Sequence, residues 1–388
     1  AIRRQRQMCI RDRVGKRLGA ANVARHGEIR TLLTDSRELE DPDGTLFFAI
    51  RTKGNDGHRY IGDLYRRGVR NFVVERVPEE FRDATDVNFI VVDDVVGALQ
   101  KLTARDASFQ CSLLAITGSR GKTTLKEWIF QLMEPLADVS RSPRSFNSQI
   151  GVPLSMWGLS ESAALGIVEA GISRTGEMQA LADVIRPDVV IITNVSDPHS
   201  EGFADDAEKA REKCLLASRP ETGTVIYCLD YKLITDALEQ VAPGKRRITW
   251  SYTDPEADVY IVKGETKDGL IHLTYRYKGE EHELEAPLTS EADFENAANA
   301  LTFMLYSGVD AQEIARNFKD LHKLGTRLNV SDGVNGCILI HDQYTSDFSS
   351  LRPALHFARR RQTPGSGLTL ILSDLHHETS DTDTLYRQ

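Results

Sequence analysis

Cysteine is scarce in this sequence and is spent singly. Five cysteines in 388 residues (Cys9, Cys111, Cys214, Cys228 and Cys337) show neither paired nor metal-type spacing. That argues against a disulfide scaffold or a zinc ribbon and points to a reducing, cytoplasmic setting. No apolar run reaches the length of a membrane span, so membrane insertion is not expected. Basic residues are not in excess: 48 Lys and Arg stand against 57 Asp and Glu, for a net charge of −9. A general nucleic-acid surface is therefore not expected, and an anionic substrate needs a local basic pocket. Internal repeats and low-complexity stretches are absent too. Residues 1–13, AIRRQRQMCIRDR, begin without Met and lack the apolar core of a signal peptide. They read as a disordered or non-native leader. What remains, 40% hydrophobic and 27% charged, is the composition of a globular chain of two or three domains.

The most informative stretch is 113–124, LLAITGSRGKTT. An apolar run, 113–116, reads as a buried strand. A helix follows, with apolar residues at Leu125, Trp128, Ile129, Leu132 and Met133, the spacing of one buried face. Between them lie Gly118, Ser119, Arg120, Gly121, Lys122, Thr123 and Thr124. Strand, glycine turn and helix start are the context of a phosphate-binding loop. Glycines admit phosphate oxygens close to the backbone, Lys122 adds positive charge, and the Thr123 hydroxyl can hold Mg2+. The loop is shorter than G-x-x-x-x-G-K-[ST], because Gly118 stands only three residues before Gly121.

Around this loop the chain divides into 14–108, a small α/β domain, 109–324, a parallel-sheet domain, and 325–388, a partial last domain. In the first, strands are expected over 45–50, 71–75 and 88–92, and a helix over 95–107. Asp35, Ser36 and Arg37 precede one strand, and Asp56 and His58 follow it. They are either a binding edge or ordinary turn chemistry. In the second, strands over 113–117, 166–170, 189–194 and 224–229 alternate with helices. Ligands of such sheets collect at the carboxyl strand ends. There stand the phosphate loop, Glu169, and Thr193-Asn194 followed by His199. Taken singly, Glu169 reads as a buried ion-pair partner, His199 as a capping or core histidine, and Lys213 as a solvated helix lysine. Residues 245–287 alternate as antiparallel hairpins, and 294–307 returns to helix with Asn296 and Asn299 on one face. In the last domain, strands are expected over 337–341 and 369–373 and a helix over 350–359.

In their order these pieces resemble the Mur ligase family, the ATP-dependent enzymes that add amino acids to the cell-wall precursor. The short loop T-G-x-x-G-K-T-T stands at 117–124. The motif N-x-x-x-G-x-P-L stands at 147–154, the glutamate segment at 169–177, and I-T-N-x-x-x-x-H at 192–199. The resemblance implies three α/β domains: a UDP-sugar-binding N-terminal domain, a central P-loop parallel-sheet ATPase domain, and a truncated Rossmann-like C-terminal domain. It implies ATP contacts from Gly118 to Thr124 and from Asn296, Asn299, Arg327 and Asp342. It implies metal contacts from Thr123, Glu169, His199 and a carbamylated Lys213, and substrate contacts from Asp35, Ser36, Arg37, Asp56, His58 and Asn147. Lys122, Lys213, His199 and Arg327 take the catalytic roles. The cofactors implied are ATP and Mg2+.

Within the family, 341–347, HDQYTSD, is similar to D-D-x-Y-N-A-N of the branch that joins D-alanyl-D-alanine to UDP-N-acetylmuramoyl-tripeptide. Thr345 and Ser346 replace Asn-Ala, and Phe348 replaces Pro. The sibling branch that adds a diamino acid shares the N-terminal pattern. Residues 50–75 and 369–388 are similar to versions fused to an alanine racemase. Rival readings are folylpolyglutamate synthase, which lacks the Asp-Ser-Arg and Asp-Gly-His domain, a P-loop switch or transport ATPase with a longer loop, and an inactive fragment.

Overall fold

The computed structural model describes residues 8–9, 14–18, 27–106, 109–195, 202–267, 269–288, 291–321, 329–332, 337–341, 355, 358–359 and 367–371. The chain forms two compact units, 1–321 and 322–388.

Two parallel sheets carry the first unit. The smaller has the order β1 (Thr31–Leu33), β2 (Thr45–Phe48), β3 (Asn71–Val74), β4 (Asn88–Val91), each strand parallel to the next. Its strands alternate between two cores. Phe47, Phe72 and Val74 face Ile61 and Leu64 of α1 (Ile61–Arg66). Leu46, Phe48 and Val73 face Leu99 and Leu102 of α2 (Val95–Thr103). Burial on both faces is the normal state of a parallel sheet. The stretch 31–33 was too short to show as a strand in sequence. Within the leader, Met8–Cys9 pairs antiparallel with Glu28–Ile29.

The larger sheet has nine strands. In chain order its elements are β5 (Ser112–Thr117), α3 (Lys122–Met133), β6 (Val139–Arg141), α4 (Gly151–Gly158), β7 (Leu165–Glu169), α5 (Glu177–Ile185), β8 (Val189–Ile192), α6 (Asp206–Cys214), β9 (Thr224–Cys228), α7 (Lys232–Val241), β10 (Arg246–Ser251), β11 (Val259–Lys267), β12 (Leu270–Tyr277), β13 (Glu280–Ala286) and α8 (Glu291–Tyr306). The strand order is β13-β12-β11-β10-β9-β8-β5-β7-β6. From β6 to β11 all pairs are parallel, and only the β11–β12 and β12–β13 pairs are antiparallel. This corrects the reading of 245–287 as hairpins throughout. Strand β10 pairs parallel with β9, and its inward side chains Ile248 and Trp250 join the main core. Strand β5 is central, and its residues alternate too: Leu114 and Ile116 face α3 and α8, while Leu113 and Ala115 face α5 and α7. The chain leaves β5 toward β6 and β7 on one side, then returns to β8 on the other. The carboxyl end of β5 is thus a topological switch point, where α/β sheets bind ligands.

The two sheets are joined through α4. Trp157 of α4 lies in the core beneath the smaller sheet, and its indole N–H donates to Arg30 O at 3.0 Å. Gln100 of α2 donates to Gln149 Oε1 at 2.9 Å, just ahead of α4. Arg105 pairs with Asp188 at 3.0 Å.

In the second unit β14 (Asn329–Asp332) pairs antiparallel with β15 (Ile338–His341). Residues 367–371 carry no regular structure, against the strand expected over 369–373. The rest of the helix expected over 350–359 lies largely outside the described residues.

Truncating Trp157 removes a large buried ring and orphans a carbonyl. Trp157→Ala should lower unfolding stability by about 3–5 kcal/mol in a urea titration.

Candidate active site

The phosphate loop is shaped by its neighbour strand. Strand β8 pairs with β5 up to Ile192 opposite Thr117, so Thr193 and Asn194 run on beside the loop. Gly118 has φ 143°, and a Cβ there would lie 1.9 Å from Thr193 Oγ1. Only glycine fits such an approach in that conformation. Thr193 Oγ1 donates to Arg120 O at 2.6 Å. Asn194 accepts twice: its carbonyl from Ser119 N at 2.9 Å and its Oδ1 from Arg120 N at 3.1 Å. The Ser119 and Arg120 amides therefore hold the loop's shape. The donors aimed out of it belong to the first turn of α3, at Lys122, Thr123 and Thr124.

Beside that turn is a corner of oxygens. Glu169 ends β7 with no solvent exposure. Its Oε2 accepts from Thr123 Oγ1 at 2.7 Å, and Thr123 Oγ1 lies 2.9 Å from Ser145 Oγ. The other carboxylate oxygen, Glu169 Oε1, is buried without a hydrogen-bond partner, as are the hydroxyls of Thr117 and Ser119. Burial pushes the Glu169 carboxyl up, while the nearby Lys126, Thr123 and Lys122 partly offset that. Among the described residues no cluster of three His, Cys, Asp or Glu could hold a metal by itself. A hydroxyl beside an orphaned carboxylate oxygen nevertheless suits Mg2+, which takes few protein oxygens and completes its shell with phosphate and water.

Two ammonium groups converge on Gly118 O: Lys122 Nζ at 2.9 Å and Lys213 Nζ at 3.1 Å. The charge-dense helix 204–218 reads from sequence as a solvated face, yet Lys213 is only 3% exposed. Helix α6 runs Asp206–Cys214, and it turns Lys213 toward the loop while Glu212 accepts from Gly176 N and Met178 N at the start of α5. Desolvation, with Lys122 and Lys209 nearby, pulls the Lys213 amine down to about 7. A large share of it is a neutral nucleophile near neutral pH.

The remaining expected residues divide. Asn296 reaches the loop, since a Cβ on Gly121 would lie 2.4 Å from its Oδ1. Asn299 is fully enclosed: its Oδ1 accepts from Trp250 Nε1 at 3.0 Å and its amide donates to Glu295 O at 2.9 Å. Asn147 packs against Gly171, whose N–H donates to Asn147 O at 2.8 Å, beside Glu169. On the smaller sheet, Asp35 and Asp56 each cap a short 3-10 turn, at Ser36–Glu38 and Gly57–Tyr60. Arg37 lies back on Asp35, holding that carboxyl down to about 2. His58 spends both ring nitrogens internally: Nδ1 lies 2.7 Å from Asp56 Oδ1, and Nε2 accepts from Glu75 N at 3.2 Å. His199, Arg327 and Asp342 lie outside the described residues.

Two contributors, Glu295 and Lys126, escaped the sequence reading, and the role of a third did too. Asn194 stood in a recognised motif, but a strand's last asparagine gives no sign of gripping a loop. Glu295 accepts from Asn194 Nδ2 at 3.3 Å and from Tyr231 OH, joining the segment after β8 and the start of α7 to α8. Lys126 is entirely buried, although its neighbours in sequence only mark an amphipathic helix.

Gly118→Ala should weaken ADP binding by about tenfold or more while the chain stays folded, in a calorimetric titration. Lys213→Met should stabilise the unliganded chain more at pH 6 than at pH 9. A lysine lowered to about 7 in the fold, from its ordinary 10.5, carries its full burial penalty below pH 7. That penalty shrinks as pH rises toward 10.5, so the gap in melting temperature between variant and wild type should narrow.

Residues 116–304 match the Mur ligase middle domain. The chain is 27% identical over 351 residues to a UDP-N-acetylmuramoyl-tripeptide–D-alanyl-D-alanine ligase of Bacillus subtilis, covering 89% of this chain and 74% of that one. It is 29% identical to the enzyme of the same name in Synechocystis, covering 92% and 74%. MurF from Acinetobacter baumannii shares the fold with a TM-score of 0.78 at 22% identity, over 92% of this chain and 78% of that one. MurF from Thermotoga maritima, solved in complex with ADP, superposes with a TM-score of 0.69 at 22% identity, over 84% and 73%. The phosphate loop shaped by β8 and the oxygen corner beside it thus lie inside the stretch that matches the Mur ligase middle domain, and the enzymes this chain is similar to are ligases.

Proposed function

We propose that this chain spends ATP to join D-alanyl-D-alanine to the terminal carboxylate of UDP-N-acetylmuramoyl-tripeptide. The observation that carries the reading is the match, over 89% of the chain, to a ligase named for those two substrates. The geometry supplies the means. The peptide carboxylate attacks the γ-phosphate of ATP and forms an acyl phosphate as ADP leaves. The amine of D-alanyl-D-alanine then attacks that carbonyl, and phosphate leaves the tetrahedral intermediate. Such transfers need positioning and charge neutralisation more than covalent help.

Lys122 and the first-turn amides of α3 would hold the β- and γ-phosphates. Thr123 and Glu169 would hold Mg2+, with the orphaned Glu169 Oε1 as the open ligand. Bound there, Mg2+ neutralises phosphate charge. Lys213, about half neutral near pH 7, would take up CO2 as a carbamate and turn a cation into an anion facing the loop. By resemblance His199 serves a second metal, and Arg327 and Asp342 complete the ATP site. Asn296 stands where the nucleotide passes the loop, and Asn299 would act from behind it. Asp35, Ser36 and Arg37, with Asp56, His58 and Asn147, would take the nucleotide sugar. His58 would do so by shaping its turn, since both its nitrogens are engaged. The reaction belongs in the cytoplasm, where ATP and nucleotide sugars are available. A fused alanine racemase rests on the wording of 50–75 and 369–388 alone.

Phosphate release with UDP-N-acetylmuramoyl-tripeptide should require D-alanyl-D-alanine. Release driven instead by a diamino acid with the dipeptide precursor would assign the sibling activity. Lys122→Ala should cut the rate by about a hundredfold or more. Lys213→Ala should lose activity and regain part of it with short carboxylic acids, and full activity without them would return Lys213 to a packing role. Arg37→Ala should raise KM for the nucleotide sugar without changing the melting temperature.

A further inference from the structure

Lys126 has no part in the steps above, yet it is a lysine with no solvent exposure. A charge enclosed this fully requires partners. Its Nζ donates to Ser142 O at 2.9 Å and to Arg144 O, and pairs with Glu127 Oε1 at 3.2 Å. Glu127 is itself held by Arg141 at 2.8 Å. Both carbonyls belong to the turn between β6 and α4. Within that turn Arg144 has φ 45°, a left-handed conformation that costs a non-glycine residue energy and persists only where its surroundings impose it. The next residue is Ser145, whose hydroxyl lies 2.9 Å from Thr123 Oγ1 in the oxygen corner. Two residues on, Asn147 O accepts from Gly171 N.

We propose that Lys126 is a positioning residue: it pins the strained turn at 142–144 so that Ser145 completes the Thr123–Glu169 corner that takes a divalent cation with phosphate. The proposal rests on the phosphate-loop reading of that corner. An uncharged side chain of similar length fills the same space but leaves two carbonyls unpaired. The turn is then free to relax from its left-handed residue and to carry Ser145 away. Lys126 therefore governs the cation's site without touching nucleotide, and Ser145 is the group through which it acts.

The test is ADP binding to the full chain by calorimetry, in EDTA and in Mg2+. Wild type should bind ADP more tightly in Mg2+. Lys126→Met should bind ADP in EDTA as wild type does, because Lys122 and the α3 amides are intact, but should lose about tenfold or more of the Mg2+-linked tightening. Ser145→Ala should lose a similar share with its melting temperature unchanged. The double variant should lose no more than Lys126→Met alone, since one acts through the other. Single variants that both keep the full Mg2+ linkage, or losses that multiply in the double variant, overturn the proposal. If Lys126→Met does not fold, Ser145→Ala decides: retained linkage overturns it and lost linkage supports it. A wild-type chain without any Mg2+ linkage overturns the corner itself and the proposal with it. Normal wild-type linkage with unaltered variants overturns the proposal alone.

Discussion

The approach of β8 to the phosphate loop is the contact on which the site depends. Past its last paired residue, β8 runs so close that Gly118 cannot carry a Cβ. That closeness brings the Thr193 hydroxyl and both acceptors of Asn194 onto the loop backbone. A longer phosphate loop can wrap phosphate with its own amides. This shorter one spends two amides on Asn194 and takes its curvature from the neighbouring strand. Remaining phosphate donors are concentrated in the first turn of α3, directly beside Thr123 and Glu169.

Charge is arranged by the same crowding. The chain as a whole carries −9, yet its site gathers Lys122 and Lys126 near one buried carboxylate and sets Lys213 against Gly118 O. Burial drives both kinds of group toward neutrality, raising Glu169 and lowering Lys213. Each is held in a form that a bound ion or reagent could reverse: under the proposed function, a cation would favour ionised Glu169 and CO2 would capture neutral Lys213. The local basic pocket demanded by an anionic substrate is thus made inside an acidic protein, from helix positions that look peripheral in sequence.

Strand β5, its glycine turn and α3 were legible because one stretch carries three agreeing signals: apolar run, glycine spacing and helical period. Strand β7 and the buried Glu169 at its end were legible through strand-end logic. Lys213 was not legible from charge pattern, because helix α6 is so rich in charge that periodicity cannot say which lysine turns inward. Only the family motif singled it out. Strand β10 was misread because Arg246–Ser251 alternates like a hairpin strand while lying parallel to β9; alternation reports faces, not direction. Asn299 and His58 carry the residue types of ligand contacts, but their polar atoms are engaged inside the fold, a matter of three-dimensional partners that spacing does not encode.

The helix α4 has a consequence of its own. It begins four residues after Asn147, beside the oxygen corner, and near its end it seats Trp157 under the smaller sheet. One short rod is therefore a gauge between the sheet proposed to take the nucleotide sugar and the loop proposed to take ATP. Its length in residues sets both a rise and an angle: one residue more or fewer would swing Trp157 by about 100° around the helix axis and unseat it. The separation of the two sheets is thus written into the count of residues between Asn147 and Trp157.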